Sequence, residues 1–146
     1  MYHLIAVVAA LAIYAGVETV SVLLAPLGGG GAASVERTVR STATALDAAV
    51  SGYRASHAED PSSFSGLDPY VDGGPAKAPQ GFSWSLGEDG SGFWMCLQGT
   101  PSQPQLDGLQ AFESDTRFAA QFTSSCAGSS AVPSAGSPTY LTLRGL

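Results

Sequence analysis

From its first residue to Leu27 the chain is almost unbroken apolar sequence, MYHLIAVVAALAIYAGVETVSVLLAPL, with Glu18 as its single formal charge. The 25 residues before Pro26 would rise roughly 38 Å as a helix, more than the ~30 Å hydrocarbon core of a bilayer. Pro26 and Gly28, Gly29, Gly30 and Gly31 then break or loosen any continuing helix, because proline lacks a backbone donor and each glycine costs about 1 kcal/mol relative to alanine. Beyond that joint, Val35, Val39, Thr42, Leu46, Ala49 and Tyr53 recur at alternating spacings of four and three, one face of an amphipathic helix over residues 32–55. Glu36, Arg37, Arg40, Asp47 and Arg54 fall largely off that stripe.

Residues 55–80 have no sustained period and carry Pro61, Pro69, Pro75 and Pro79, so a long loop is expected, pinned to the body by Phe64, Leu67, Tyr70 and Val71. Phe82, Trp84 and Leu86 alternate with Ser83 and Ser85. Gly87 to Gly92 supplies turn chemistry and Phe93 to Leu97 is apolar and aromatic, which predicts a β-hairpin with an open loop. Leu109, Phe112, Phe118 and Phe122 form a weak helical pattern interrupted by Ser114-Asp115-Thr116. Tyr140 to Arg144 reads as a closing strand with Leu141 and Leu143 inward and Thr142 outward. The expected fold class is α+β: a long N-terminal helix, apolar in its first half, broken by Pro/Gly and amphipathic in its second, packed on a small antiparallel β-sheet head with one disulfide. Two parts follow, residues 1–31 as a membrane or filament-core helix and residues 32–146 as a head whose sheet and disulfide-bounded region occupy 81–146.

A cleavable secretory signal needs a basic start and an apolar core of about 7 to 15 residues. Here Met1-Tyr2-His3 is followed by no Lys or Arg before Arg37 and the apolar run is longer, so a retained helix is expected. A net charge of −6 with six scattered Lys and Arg argues against nucleic acid, which needs clustered cations. No asparagine is present, so no N-glycosylation site exists. Cys96 and Cys126, 30 positions apart, form a disulfide if the head lies in an oxidising compartment, the rival reading being two reduced, buried thiols.

Enzyme chemistry finds little footing. His57 is the only histidine beyond the apolar segment, and no G-x-S-x-G elbow accompanies it. With Glu59 and Asp60 it reads as a solvated helix end. Glu88 and Asp89 serve a hairpin tip rather than a calcium site, since no EF-hand spacing exists. Neither a cofactor nor a metal is expected, and no catalytic residue is assigned.

The order of parts resembles a type IV pilin-like subunit, whether type IV pilin, minor pilin or type II secretion pseudopilin. The likeness rests on LIAVVAALAIYAGV, the helix end at Ala49-Val50-Ser51-Gly52-Tyr53, the entry to the sheet from Pro79 to Trp84, and Cys96 with Cys126. That resemblance implies a precursor held in the bacterial inner membrane, cleavage of a short basic leader by a prepilin peptidase, methylation of the new N-terminus at Met1, and secretion into a helical homopolymer by pilus assembly machinery. The expected localisation is then an extracellular filament, a pilus or fimbrium of the kind used in cell adhesion and related tasks. Pilins usually carry glutamate at the fifth mature position, where this chain has Ile5. Starting at Tyr14 would restore that spacing to Glu18 but leaves too few apolar residues before Pro26. Glu18 is therefore expected either to pair with a neighbouring subunit, for example with its Met1 amine, or to sit at the interface hydrogen-bonded to Ser21. The alternative from a different class is a single-pass membrane-anchored extracytoplasmic binding domain, an adhesin or a lectin-like module using Trp84 and Trp94.

Overall fold

A computed structural model describes residues 31–71, 76–115 and 117–146. Helix α1, Ala32–His57, is 26 residues long, about 39 Å. It starts where Gly31 adopts extended geometry at the N-cap, and it ends at Ala58, whose left-handed backbone (φ 58°) lets its N–H reach the Arg54 carbonyl. Arg54 and His57 in the last turn complement the negative end of the helix dipole. The helix runs two residues past the predicted end, because nothing between Arg54 and His57 breaks it and the next proline is Pro61.

The loop after α1 is firmer than its proline content suggests. It contains the short helix α2, Phe64–Leu67, and a single 3-10 turn, Asp68–Tyr70. Leu67 is fully buried, and Phe64, Tyr70 and Val71 pack on the same cluster, as expected. Gly52 inside α1 admits the Tyr70 ring, whose edge lies 3.0 Å from where a Cβ would stand.

Four strands form one antiparallel sheet in the order β1-β2-β4-β3: β1 Phe82–Asp89, β2 Gly92–Gly99, β3 Ala119–Thr123 and β4 Thr139–Arg144. The β1–β2 hairpin corrects the expected open loop. Pairing runs through Gly87, Glu88 and Asp89 to Gly92, leaving only Gly90 and Ser91 at the tip. Two features close so tight a turn: Asp89 accepts the Ser91 N–H at 2.8 Å, and Gly92 takes φ 103°, a value that favours glycine.

The ambiguous stretch after Gly99 resolves into two elements. Helix α3, Gln103–Glu113, begins with a capping box in which the Gln105 side chain accepts the Ser102 N–H at 2.9 Å, and Pro104 sits in its first turn. Leu106, Leu109 and Phe112 form its buried stripe. Ser114 and Asp115 then end the helix, and β3 follows with the two-residue period of a strand, so that Ala120 and Phe122 face inward. The mixed period of Leu109, Phe112, Phe118 and Phe122 was the sum of these two.

The helices of the described residues lie on one side of the sheet. Val35, Val39 and Ala43 of α1 meet Leu106, Leu109 and Phe112 of α3 over Leu97, Phe122, Leu141 and Leu143. Farther along, Leu46, Ala49 and Val50 meet Leu67 over Phe93 and Met95. The two helices touch closely at Gly108, where a Cβ would stand 2.4 Å from the Ala32 carbonyl oxygen and 3.0 Å from the Val35 Cβ. Because the first of these is backbone, Gly108→Ala is expected to destabilise the head by about 1–3 kcal/mol by pushing α3 off α1. The midpoint of urea unfolding of the full chain in detergent micelles checks this, and an unchanged midpoint would show that the helices are not fixed at this distance.

Candidate functional site

With Phe93, Met95, Leu97, Leu141 and Leu143 turned to the helices, the alternate residues Trp94, Cys96, Gln98, Tyr140, Thr142 and Arg144 occupy the outer face of the sheet. Cys96 is fully buried there and bonded to Cys126, with a Cα–Cα separation of 5.6 Å. Cys126 follows β3, so residues 124–126 cross over β4 to reach β2 and form a flap on the outer face. The flap closes through Ser124 N–H to the Ser129 carbonyl at 2.9 Å and Gly128 N–H to the Ser125 carbonyl at 2.8 Å. A side chain at Gly128 would meet Ser124 Oγ and Ser125 Oγ at 2.7 Å.

Thr142 is consequently not the solvent-facing residue its alternation suggests. It is 2 % exposed and shares a 2.8 Å hydrogen bond with Thr123 on the flap side of the sheet. A hydroxyl pair of this kind satisfies both groups where water is excluded. Ser85 on β1 completes the surroundings, its Oγ lying 3.4 Å from the Cys126 sulfur. At the far end of the same face Arg144 spans to Asp89 through two hydrogen bonds, Nη1 to Oδ1 at 3.1 Å and Nη2 to Oδ2 at 2.7 Å. The Arg144 hydrogen bonds, with help from the Ser91 N–H, hold the Asp89 carboxyl below its ordinary value of 3.8, and Asp89 raises Arg144.

The two tryptophans do not form a common platform. Trp84 pairs with Leu97 on the helix side, packs against both core clusters and donates its indole N–H to the Lys77 carbonyl at 3.0 Å. Trp94 lies on the outer face, its ring stacked so closely over Gly87 that a Cβ there would be 2.5 Å away. The Trp94 indole nitrogen is buried with no hydrogen-bond partner among the described residues.

The remaining charged and aromatic candidates are accounted for by structure. His57 is exposed, stacks on Tyr53 at 4.1 Å and has its Nδ1 3.1 Å from the Tyr53 carbonyl oxygen. Asp60 pairs with Arg54 at 2.6 Å. Arg54 also donates to the Leu146 main-chain oxygen and lies over the Phe93 ring. Arg40 bridges Glu36 and Asp115. Glu88 and Asp89 are consecutive in a strand and so face opposite sides of the sheet. Among the described residues no group of three or more His, Cys, Asp or Glu is placed to hold a metal ion, and no helix is long and apolar enough to cross a membrane.

Of the residues assigned to assembly and processing, Gly31 is the N-cap of α1, and its carbonyl accepts the N–H groups of Ser34 and Val35, each at 3.0 Å. Met1, Ile5, Glu18, Pro26, Gly28, Gly29 and Gly30 lie outside the described residues. The class defined by these observations is an α+β head, a long helix on a four-stranded antiparallel sheet closed by one disulfide. Compared with known proteins, the chain matches no family model, no curated protein and no solved structure.

Two expectations follow from the outer face. Reduction of Cys96–Cys126 frees a loop of 30 positions and should lower stability by roughly 3–4 kcal/mol in the chain-entropy model, read as the drop in urea midpoint when reductant is added. A drop below 1 kcal/mol would mean that the flap is held by its other contacts. The Asp89 pairing supports the fold where the carboxylate is ionised in both states, above pH 3.8, and its contribution fades as pH falls through the lowered folded value. Asp89→Asn should therefore melt below the wild type at neutral pH, the gap closing below pH 3.8. A gap that persists in strong acid would assign the effect to packing instead.

Proposed function

We propose that this chain is a structural subunit of a type IV pilus-like extracellular filament, held in the inner membrane by its apolar N-terminal helix before assembly and packed through that helix with copies of itself afterwards. One observation carries the reading. The helix-facing side of the sheet is already covered by α1, α3 and residues 64–71, and its outer face carries polar side chains and the disulfide flap, so the apolar run from Met1 to Leu27 would find its partners in lipid or in other copies of the chain. Helix α1 starts at Ala32, directly behind the Pro26 to Gly31 break, with Gly31 extended at its N-cap, so the head begins at the joint that this reading places between it and the apolar run.

In this reading the energy of assembly comes from burying the stem among neighbours, roughly 1.5–3 kcal/mol per apolar side chain relative to water and less relative to lipid. The head is a non-enzymatic body that the stem displays, and the disulfide flap fixes its outer surface. The placement of Trp84 and Trp94 on opposite faces takes away the shared stacking surface on which a lectin-like module would rely.

Shearing cells that express the full chain should release it into the pelleted fibre fraction, with filaments visible by electron microscopy. Recovery of the chain only as a membrane-bound monomer would overturn the filament. Within the filament, Glu18→Gln should reduce the yield of fibres if the carboxylate pairs between subunits. An undiminished yield would leave Glu18 at the membrane interface.

A further inference from the structure

The two halves of the disulfide do not stand in equivalent places. Cys96 lies in the middle of β2 and is 0 % exposed, with Ser85 of β1 and Thr142 of β4 paired to it on either side and the flap above it. Cys126 belongs to the flap itself and is only partly buried. The side chains that flank its sulfur, Ser85 Oγ at 3.4 Å and Gln98 Oε1 at 3.9 Å, are partly exposed as well. One end of the bond is thus enclosed, and the other lies at the surface of the head.

The flap, Ser124 to Ser129, has little besides this bond to hold it over the sheet. Its main-chain hydrogen bonds, Ser124 N–H to the Ser129 carbonyl and Gly128 N–H to the Ser125 carbonyl, are internal, and apart from Cys126 its residues are Ser, Ala and Gly. Ala127, next to Cys126, is held in left-handed geometry (φ 62°), which alanine seldom adopts and which a freed flap can relax. A thiolate breaks a disulfide by bonding to one of its sulfurs through a mixed disulfide, so access decides which sulfur is taken.

We propose that Cys126 is the thiol-exchange site of this head, the sulfur on which a low-molecular-weight thiol forms a mixed disulfide while the sheet stays folded, with Cys96 as the resolving thiol. The incoming thiolate R–S⁻ bonds to Cys126 Sγ, the Cys96–Cys126 bond breaks, and its electron pair leaves on Cys96, which takes a proton from water. One S–S bond forms for each one broken, so this step frees the flap without net reduction. A second R–S⁻ attacking the R sulfur completes the reduction, releasing R–S–S–R and leaving Cys126 as a thiolate. By microscopic reversibility an oxidised thiol closes the flap along the same path, the Cys96 thiolate attacking Cys126 Sγ and expelling R–S⁻. Exchange at Cys126 concerns the head alone and is independent of the filament reading.

The test uses the oxidised full chain in detergent, exposed to glutathione until a small fraction of the bond has reacted, then quenched in acid and blocked with N-ethylmaleimide. Trypsin cuts after Lys77, Arg117 and Arg144, which places Cys96 in residues 78–117 and Cys126 in residues 118–144. Mass spectrometry of the two peptides then reads which carries glutathione and which carries maleimide. Glutathione should exceed that on 78–117 by more than about tenfold on 118–144, because the Cys96 sulfur is reached only by unfolding. The same exposure in denaturing urea should bring the two peptides close to parity. Glutathione mainly on Cys96, equal labelling of the two peptides in the absence of urea, or exchange that occurs only in urea would each overturn the proposal.

Discussion

The buried stripe of α1 is the contact on which the rest of the head depends. Its first half, Val35, Val39 and Ala43, is shared with α3, and its second half, Leu46, Ala49 and Val50, with the α2 region. One helix thereby joins two clusters that would otherwise be small separate cores over opposite ends of a four-stranded sheet. A domain of this size has room for only one small core, so neither cluster can spare the helix that links it to the other. Gly108 sets how closely α3 may approach, and the ion pairs of Arg40 and Arg54 reinforce the stripe from its rim.

The opposite side of the sheet solves a different problem. No helix among the described residues covers it, and its central strands carry a cysteine and a threonine rather than a continuous apolar surface. The flap from Ser124 to Ser129, tied down through Cys126, encloses these residues and lets Thr123 and Thr142 satisfy each other. Covering a sheet with a short, covalently pinned loop uses few residues.

Local chemistry was legible wherever a single period ran long enough to be read. The four-three spacing from Val35 to Tyr53 gave α1, the alternation around Trp84 gave the hairpin, and Leu141 with Leu143 gave β4. Where two periods met, at Ser114-Asp115-Thr116, the pattern blurred, although the Ser102-x-x-Gln105 capping box marked the start of α3 and offered a signal that Pro101 before it and Pro104 within it obscured. The hairpin turn was tighter than its glycine content suggested because Asp89 could serve both the turn and the strand.

The sequence by itself determined the α+β class, the long amphipathic helix and the apolar character of residues 1–27, because these depend on the kind and spacing of side chains along one segment. Which face each tryptophan occupies, the burial of Thr142 and the pairing of Asp89 with Arg144 were decided by the tertiary structure. Each of these arises from strand register and from the order β1-β2-β4-β3, which bring together residues as far apart as Asp89 and Arg144. Distance along the chain carries no trace of that juxtaposition, so only the folded sheet could show it.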